Sequence, residues 1–248
     1  MSLNNIRIVL IETSHPGNIG SAARAMLTMG LSDLCLVNPA HFPDKKATIM
    51  ASGADRVLQQ AKVVNTLAEA IADYHLVIGT SARNKRSVQW PLMTARHTGE
   101  FIAKHSGKGK VALIFGRENS GLSNQELEHC QYLTSIPVNP DFRSLNIASA
   151  VQVLAYECAV AHEQEQTPDQ QTAGELATAG DMEDYYNHLQ QTLIDIRYLD
   201  PEKPRLLMRR LRCLYGRIQP TKSEVSILRG ILSATQGNKF LPRNKRKT

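Results

Sequence analysis

Residues 111–127 read VALIFGRENSGLSNQEL. Five apolar residues, Val111 to Phe115, run straight into a glycine, the pattern of a buried strand bounded by a turn. Further on, Ser123-x-x-Glu126 has the form of a capping box, which starts a helix by satisfying two orphan backbone donors at once. Strand, glycine loop, helix: this is a βα unit, and such units build parallel sheets. The loop itself has the G-x-x-x-x-G spacing of a phosphate loop in Gly116 and Gly121, but Leu122 stands where the lysine is needed. Glu118, inside the loop, repels phosphate. The loop therefore suits a ligand that is positively charged or rich in donors. A dinucleotide fingerprint is also missing, because Gly17 and Gly20 are wrongly spaced for G-x-G-x-x-G.

Outward from this unit, further short apolar runs predict strands at Ile6–Ile11, Leu34–Val37, Leu76–Ile78 and Thr134–Val138. Helical patterns lie between and after them at Gly20–Met29, Leu67–Asp73, Thr94–His105, Ser123–Cys130 and Leu145–His162. The alternation predicts an α/β domain over 1–162 with a mostly parallel sheet. Residues 163–180, EQEQTPDQQTAGELATAG, are polar and poor in aromatics, which predicts a flexible linker. Residues 181–248 then show helical spacing at Asp181–Tyr198, Pro204–Tyr215 and Ser223–Ala234, with Thr221 and Ser223 as candidate caps. This second part is expected to be a small all-helical module ending in a disordered tail, NKFLPRNKRKT.

Ligands of open parallel sheets bind beyond the C-terminal ends of the strands. Four of the five expected strand ends there are rich in Gly, Ser, Thr, Asn and Arg: ETSHPGNIGSAAR, GTSAR, FGRENSGLS and PVNPDFRSLN. Such residues permit close backbone approach and donate hydrogen bonds, so one composite site is expected, with ordinary turn chemistry as the alternative. Arg24 is a cation near the start of an otherwise core-like helix, where the helix dipole does not favour it. Either an anion such as a nucleic-acid phosphate or a salt bridge to a glutamate would account for it. Ser144 and Asn146 precede a helix of small residues, and both could simply cap it.

Charge is distributed unevenly. From Asp200 to Thr248 there are thirteen Lys/Arg against three Asp/Glu, a local +10 that exceeds the +6 of the whole chain. Such a segment fits a polyanion, most simply nucleic acid, or else a solubilising face with a basic tail. Four cysteines with no metal-type spacing, and no apolar run long enough for a signal or a membrane span, predict a cytoplasmic protein without a metal site or membrane partner. Aromatics make up only 5% of residues, so wide stacking platforms for single strands are not expected.

The set Asn18-x-Gly20-x-x-x-Arg24, then Gly79-Thr80-Ser81-Ala82-Arg83, then Phe115-Gly116-Arg117-Glu118-x-x-Gly121-Leu122, then Ile136-Pro137 with Ser144-Leu145-Asn146, resembles the three ordered motifs of the SPOUT superfamily of S-adenosylmethionine-dependent RNA methyltransferases. Within it, the chain is most similar to the tRNA 2′-O-methyltransferases that modify cytidine or uridine at nucleotide thirty-two of the anticodon loop. The likeness covers roughly residues 5–162. It implies a trefoil knot in the C-terminal part of the sheet and a homodimer whose two chains share an active site. It also implies S-adenosylmethionine as cofactor, held by Thr80, Ser81, Ala82, Gly116, Gly121, Ile136, Ser144, Leu145 and Asn146. By the same resemblance Arg24 and Ser144 are the catalytic pair, supported by Asn18 and Glu118, and Arg24, Arg83 and Arg117 meet the tRNA. Because a guanidinium stays protonated, Arg24 is expected to clamp a phosphate and orient the ribose rather than act as a base. The basic module is expected to dock tRNA. Ribosomal RNA methylation, a non-catalytic RNA-binding role and, against the missing lysine, nucleotide hydrolysis are the rival functions.

Overall fold

The computed structural model describes residues 3–81, 90–142, 144–164, 175–202 and 206–237. Its centre is one seven-stranded sheet: β1 (Ile6–Ile11), β2 (Asp33–Val37), β3 (Lys62–Val64), β4 (Leu76–Thr80), β5 (Leu92–Thr94), β6 (Val111–Phe115) and β7 (Tyr132–Ser135). The order across the sheet is β3-β2-β1-β6-β4-β7-β5, and every pairing is parallel. Parallel strands are covered on both faces, so their side chains are apolar in both directions. β1 shows this directly. Ile6, Ile8 and Leu10 point into a core closed by α1 (Pro16–Thr28), α2 (Lys45–Ala51), α3 (Asp55–Gln59), α5 (Ala95–Ser106) and α7 (Ile147–Gln164). Val9 and Ile11 point the other way, toward α4 (Leu67–Ile71) and α6 (Asn124–Leu127).

Two strands and two helices, β3, β5, α2 and α3, were not expected from the sequence. Both strands are three-residue edges of the sheet with mostly exposed side chains, too short to show a period. β7 lies at Tyr132–Ser135, earlier than the expected Thr134–Val138. Pro137 explains the difference: it has no N–H for the ladder, and strand pairing stops ahead of it. α1 begins at Pro16, four residues before the expected start, so Arg24 sits in the second half of this helix and the dipole argument for it falls.

The C-terminal part is all-helical as expected: α8 (Ala179–Asp195), α9 (Leu207–Ile218) and α10 (Lys222–Thr235). Capping boxes at Thr178/Asp181 and Thr221/Glu224 start α8 and α10; Ser223 does not cap. Met182, Tyr185, Tyr186, Leu189 and Val225 form its own small core. The helices rest on the sheet domain at the N-terminal ends of β4 and β7. The Ala179 and Gly180 N–H groups donate to the Tyr74 and Ala72 carbonyls at 2.7 and 3.1 Å, and Tyr132 Oη donates to the Arg217 carbonyl at 3.3 Å. Most of the expected linker and all of the expected tail lie outside the described residues.

Candidate active site

The loop between β6 and α6 is a small hairpin. The Arg117 and Gly121 backbones exchange hydrogen bonds of 3.2 and 2.9 Å, and Gly121 turns the chain at φ +68°. A Cβ on Gly116 would lie 2.2 Å from the Gly121 carbonyl carbon, so no larger residue fits the hairpin. Behind it the expected capping box is present: Glu126 N–H donates to Ser123 Oγ at 3.2 Å, and Ser123 N–H to Glu126 Oε2 at 2.7 Å. Arg117 ties this assembly together. Its guanidinium donates to both Glu12 oxygens at 2.7 and 2.6 Å and pairs with Glu126 at 3.0 Å. Those bonds, to Glu12 above all, raise the Arg117 pKa, and Arg117 in turn lowers that of Glu12. Thus Arg117, an expected RNA contact, spends its fork inside its own chain.

Glu118 faces the other way, toward the start of α1. Its carboxylate accepts from Asn18 Nδ2 at 3.0 Å, Ser14 Oγ at 3.2 Å, Ser14 N–H at 3.3 Å and His15 N–H at 3.4 Å. Helix α1 has no side-chain cap of its own, and this negative group supplies charge where the helix dipole is positive. Partial burial pushes the Glu118 pKa up, but the bonds from Asn18 and the backbone outweigh it, and the net shift is downward. An ionised carboxylate only accepts, so the Asn18 NH2 must face Glu118 and its carbonyl must face away. That carbonyl accepts from Asn146 Nδ2 at 3.0 Å. Asn146 Oδ1 in turn takes the Ala148 and Ser149 N–H groups at 2.9 and 3.4 Å, capping α7. One polar chain therefore joins the β1, β6 and β7 exits. Of the two residues the sequence left as possible caps, Asn146 caps and Ser144 stays exposed beside the cavity.

That cavity, about 630 Å³, lies beyond the C-terminal ends of β4, β6 and β7. It brings together Asn18, Thr80, Ser81, Gly116, Arg117, Glu118, Gly121, Ile136, Ser144, Leu145 and Asn146, all expected from the sequence. Ala82 and Arg83 lie outside the described residues. Arg24 does not line the cavity: it is exposed on α1, with no ion pair among the described residues. Sequence reading missed the apolar floor, made by Phe115, Leu122, Val138, Ile147, Ala150 and Leu154. The last three were visible as one face of α7 at spacings of three and four, but a core helix has the same spacing. Volume, apolar floor and polar rim suit a molecule with a flat aromatic body and a charged end. No cluster of three or more metal-ligating side chains occurs among the described residues.

Residues 5–156 match the SpoU rRNA methylase family, and residues 180–247 match the C-terminal domain of tRNA methyltransferase TrmJ. The tRNA (cytidine/uridine/adenosine-2′-O-)-methyltransferase TrmJ of Pseudomonas aeruginosa is 52% identical over 246 residues, covering 94% of this chain and 95% of that protein. The chain belongs to the SpoU methylase family, in its TrmJ group. The crystal structure of TrmJ from Z. mobilis superposes with a TM-score of 0.80 at 38% identity, over 92% of this chain and 97% of that one. A more distant SpoU methyltransferase, AviRb from Streptomyces viridochromogenes, shares the fold at 23% identity and a TM-score of 0.51, over 64% and 60% of the chains; that structure holds AdoMet. The SpoU match takes in all seven strands and the cavity, and the TrmJ C-terminal match takes in α8 to α10.

Proposed function

We propose that the protein transfers the methyl group of S-adenosylmethionine to a ribose 2′-oxygen of tRNA, at a cytidine or uridine in position thirty-two of the anticodon loop. The observation that carries the reading is the 52% identity to a TrmJ tRNA 2′-O-methyltransferase along nearly the whole chain, together with a cavity lined by most of the expected site residues. The cavity fits the cofactor on its own chemistry. Its apolar floor accepts an adenine ring, the Gly116–Gly121 hairpin offers backbone groups at close range, and the Glu118 carboxylate favours a cation nearby. When bound, S-adenosylmethionine supplies the methyl group as an electrophile on a sulfonium.

The work left to the chain is alignment, which needs no covalent help from the protein. Thr80, Ser81, Ala82, Gly116 with the residues to Gly121, Ile136 and Ser144 to Asn146 hold the cofactor. Glu118 fixes the Asn18 amide, and Asn18 and Ser144 orient the 2′-hydroxyl. Arg24 clamps the neighbouring phosphate, and the proton leaves to phosphate or water. Arg24 is exposed and outside its own chain's cavity, which supports a homodimer in which a second copy brings it to the site. A trefoil knot around the cavity loops belongs to the same reading, and the strand order, with β6 inserted between β1 and β4 and β7 between β4 and β5, is one that such a knot would use. The reading keeps residues 1–162 as catalytic domain and 181–248 as the tRNA-docking module. Incubation with unmodified total RNA and labelled S-adenosylmethionine, followed by mass-spectrometric mapping, tests it. Label confined to ribosomal RNA, or no transfer at all, would sink it.

A further inference from the structure

The basic surplus of the C-terminal module is not evenly available. Helix α9 carries Arg209, Arg210, Arg212 and Arg217, and the fold sorts them into two pairs. Arg209 is ion-paired with Glu128 of the sheet domain. Arg212 donates to both oxygens of Glu183 at 2.6 and 2.7 Å and lies over the Tyr186 ring, 4.5 Å from its centroid. Cys213 and Gly216, on the same side, are buried, Gly216 against Gln131. This inner face is structural: its guanidinia are neutralised by carboxylates and packed.

The outer face differs. The exposed residues of α9 are Arg210, Leu214, Arg217 and Ile218, spaced i, i+4, i+7 and i+8, a single stripe of the helix. Neither Arg210 nor Arg217 has an acidic partner among the described residues, and Leu214 and Ile218 beside them are 43% and 62% exposed. Unpaired guanidinia alternating with short aliphatic groups match a nucleic-acid backbone, where phosphates take the charges and sugar faces take the apolar contacts.

We propose that this stripe, Arg210, Leu214, Arg217 and Ile218, is an RNA backbone-binding surface that grips the substrate away from the modified nucleotide. The distance follows from where the module sits. Arg217 meets the chain at Tyr132, the first residue of β7, whereas the cavity is lined by Thr134 and Ile136 beyond it. Two to four residues along the strand are about 7–13 Å, and the outer face of α9 stands a further helix diameter, about 10 Å, from the sheet. A phosphate held on the stripe therefore belongs to a part of the RNA several nucleotides removed from the one in the same chain's cavity, or to RNA presented to the cavity of a second copy. Two phosphates, not four, are the expected yield of the four α9 arginines.

This inference rests on the RNA-methylating reading, and the test separates the two. Affinity of the full-length protein for an unmodified tRNA transcript is measured against salt for the native chain, for Arg210→Gln/Arg217→Gln, and for Arg209→Gln. Each lost phosphate contact removes roughly 0.7–0.9 from the log–log slope, so the outer double variant should flatten it by about 1.4–1.8 with an unchanged melting temperature. Arg209→Gln should lower the melting temperature and leave the slope alone. Arg217→Glu, an exposed change, gives a second reading in the same direction. An unchanged slope in the outer variants overturns the proposal. So does a loss of self-association or of anionic-vesicle binding with the slope intact, which makes the stripe a protein or lipid surface. If the native chain binds tRNA with a steep slope but transfers no methyl group, the catalytic reading fails while the stripe is still decided by its own variants.

Discussion

Replacing Glu118 by Gln probes the polar chain that joins three strand exits at the cavity. The carboxylate accepts from four donors, but only the Asn18 contact, 3.0 Å, lies at the centre of the normal range; the other three are 3.2 to 3.4 Å. A Gln oxygen keeps at most two of these, and its NH2 group faces N–H donors it cannot satisfy. A hydrogen bond to a charged group contributes about 1.5–3 kcal/mol when buried, and the partial exposure of Glu118 places the expected loss in the lower half of that range, about 2 kcal/mol. Expressed in transition-state positioning, that is roughly thirtyfold in single-turnover methyl transfer. The loss should come through Asn18, because among the described residues Asn18 is the only side chain linking Glu118 to the cap of α7. Asn18→Ala and the double variant complete a cycle, and the double should be little worse than either single. Turnover within threefold of native for Glu118→Gln, or additive effects in the cycle, refutes the argument.

Arg24→Lys should lower turnover at saturating tRNA at least tenfold with cofactor affinity intact, since lysine lacks the planar fork that clamps and orients a phosphate. Near-native turnover in steady-state assays would remove Arg24 from that role. Gly116→Ala drives a methyl group against the Gly121 carbonyl and should abolish measurable S-adenosylmethionine binding in calorimetry, with a smaller fall in melting temperature. Acid should loosen the seat of the helical module. Burial lowers the His129 pKa, so between that value and the unfolded value of about 6.5 the unfolded chain binds the extra proton and stability falls as pH falls. Glu183, lowered by its bond to Arg212, adds a second loss below the ordinary carboxylate range. The melting temperature should drop from pH 7 to 5, and His129→Gln should flatten the upper part of that profile.

The long apolar strands and the glycine hairpin were legible because each is dictated locally. Val111 to Phe115 has no stable place except between two covering layers, and Gly116 to Gly121 followed by Ser123-x-x-Glu126 is a turn and a cap in any context. The edge strands β3 and β5 were not, because three residues exist as strands only through the neighbour they pair with. The same division runs through the site. Composition at the strand ends pointed to one composite site, and the expected site residues in the described regions do meet in one cavity, with Arg24 the exception. Partners, however, are chosen in three dimensions. Residues 117 and 118 are adjacent and both charged, yet Arg117 turns to Glu12 and Glu126 while Glu118 turns to Asn18. Likewise four arginines on one helix look equivalent in the sequence, and only the packing of α9 against Glu128 and Glu183 separates the two that hold the protein together from the two left facing solvent. The sequence by itself determined which charges exist and which local turns they flank. Tertiary structure decided which of those charges are cancelled, because a carboxylate a hundred residues away is as close as the fold brings it.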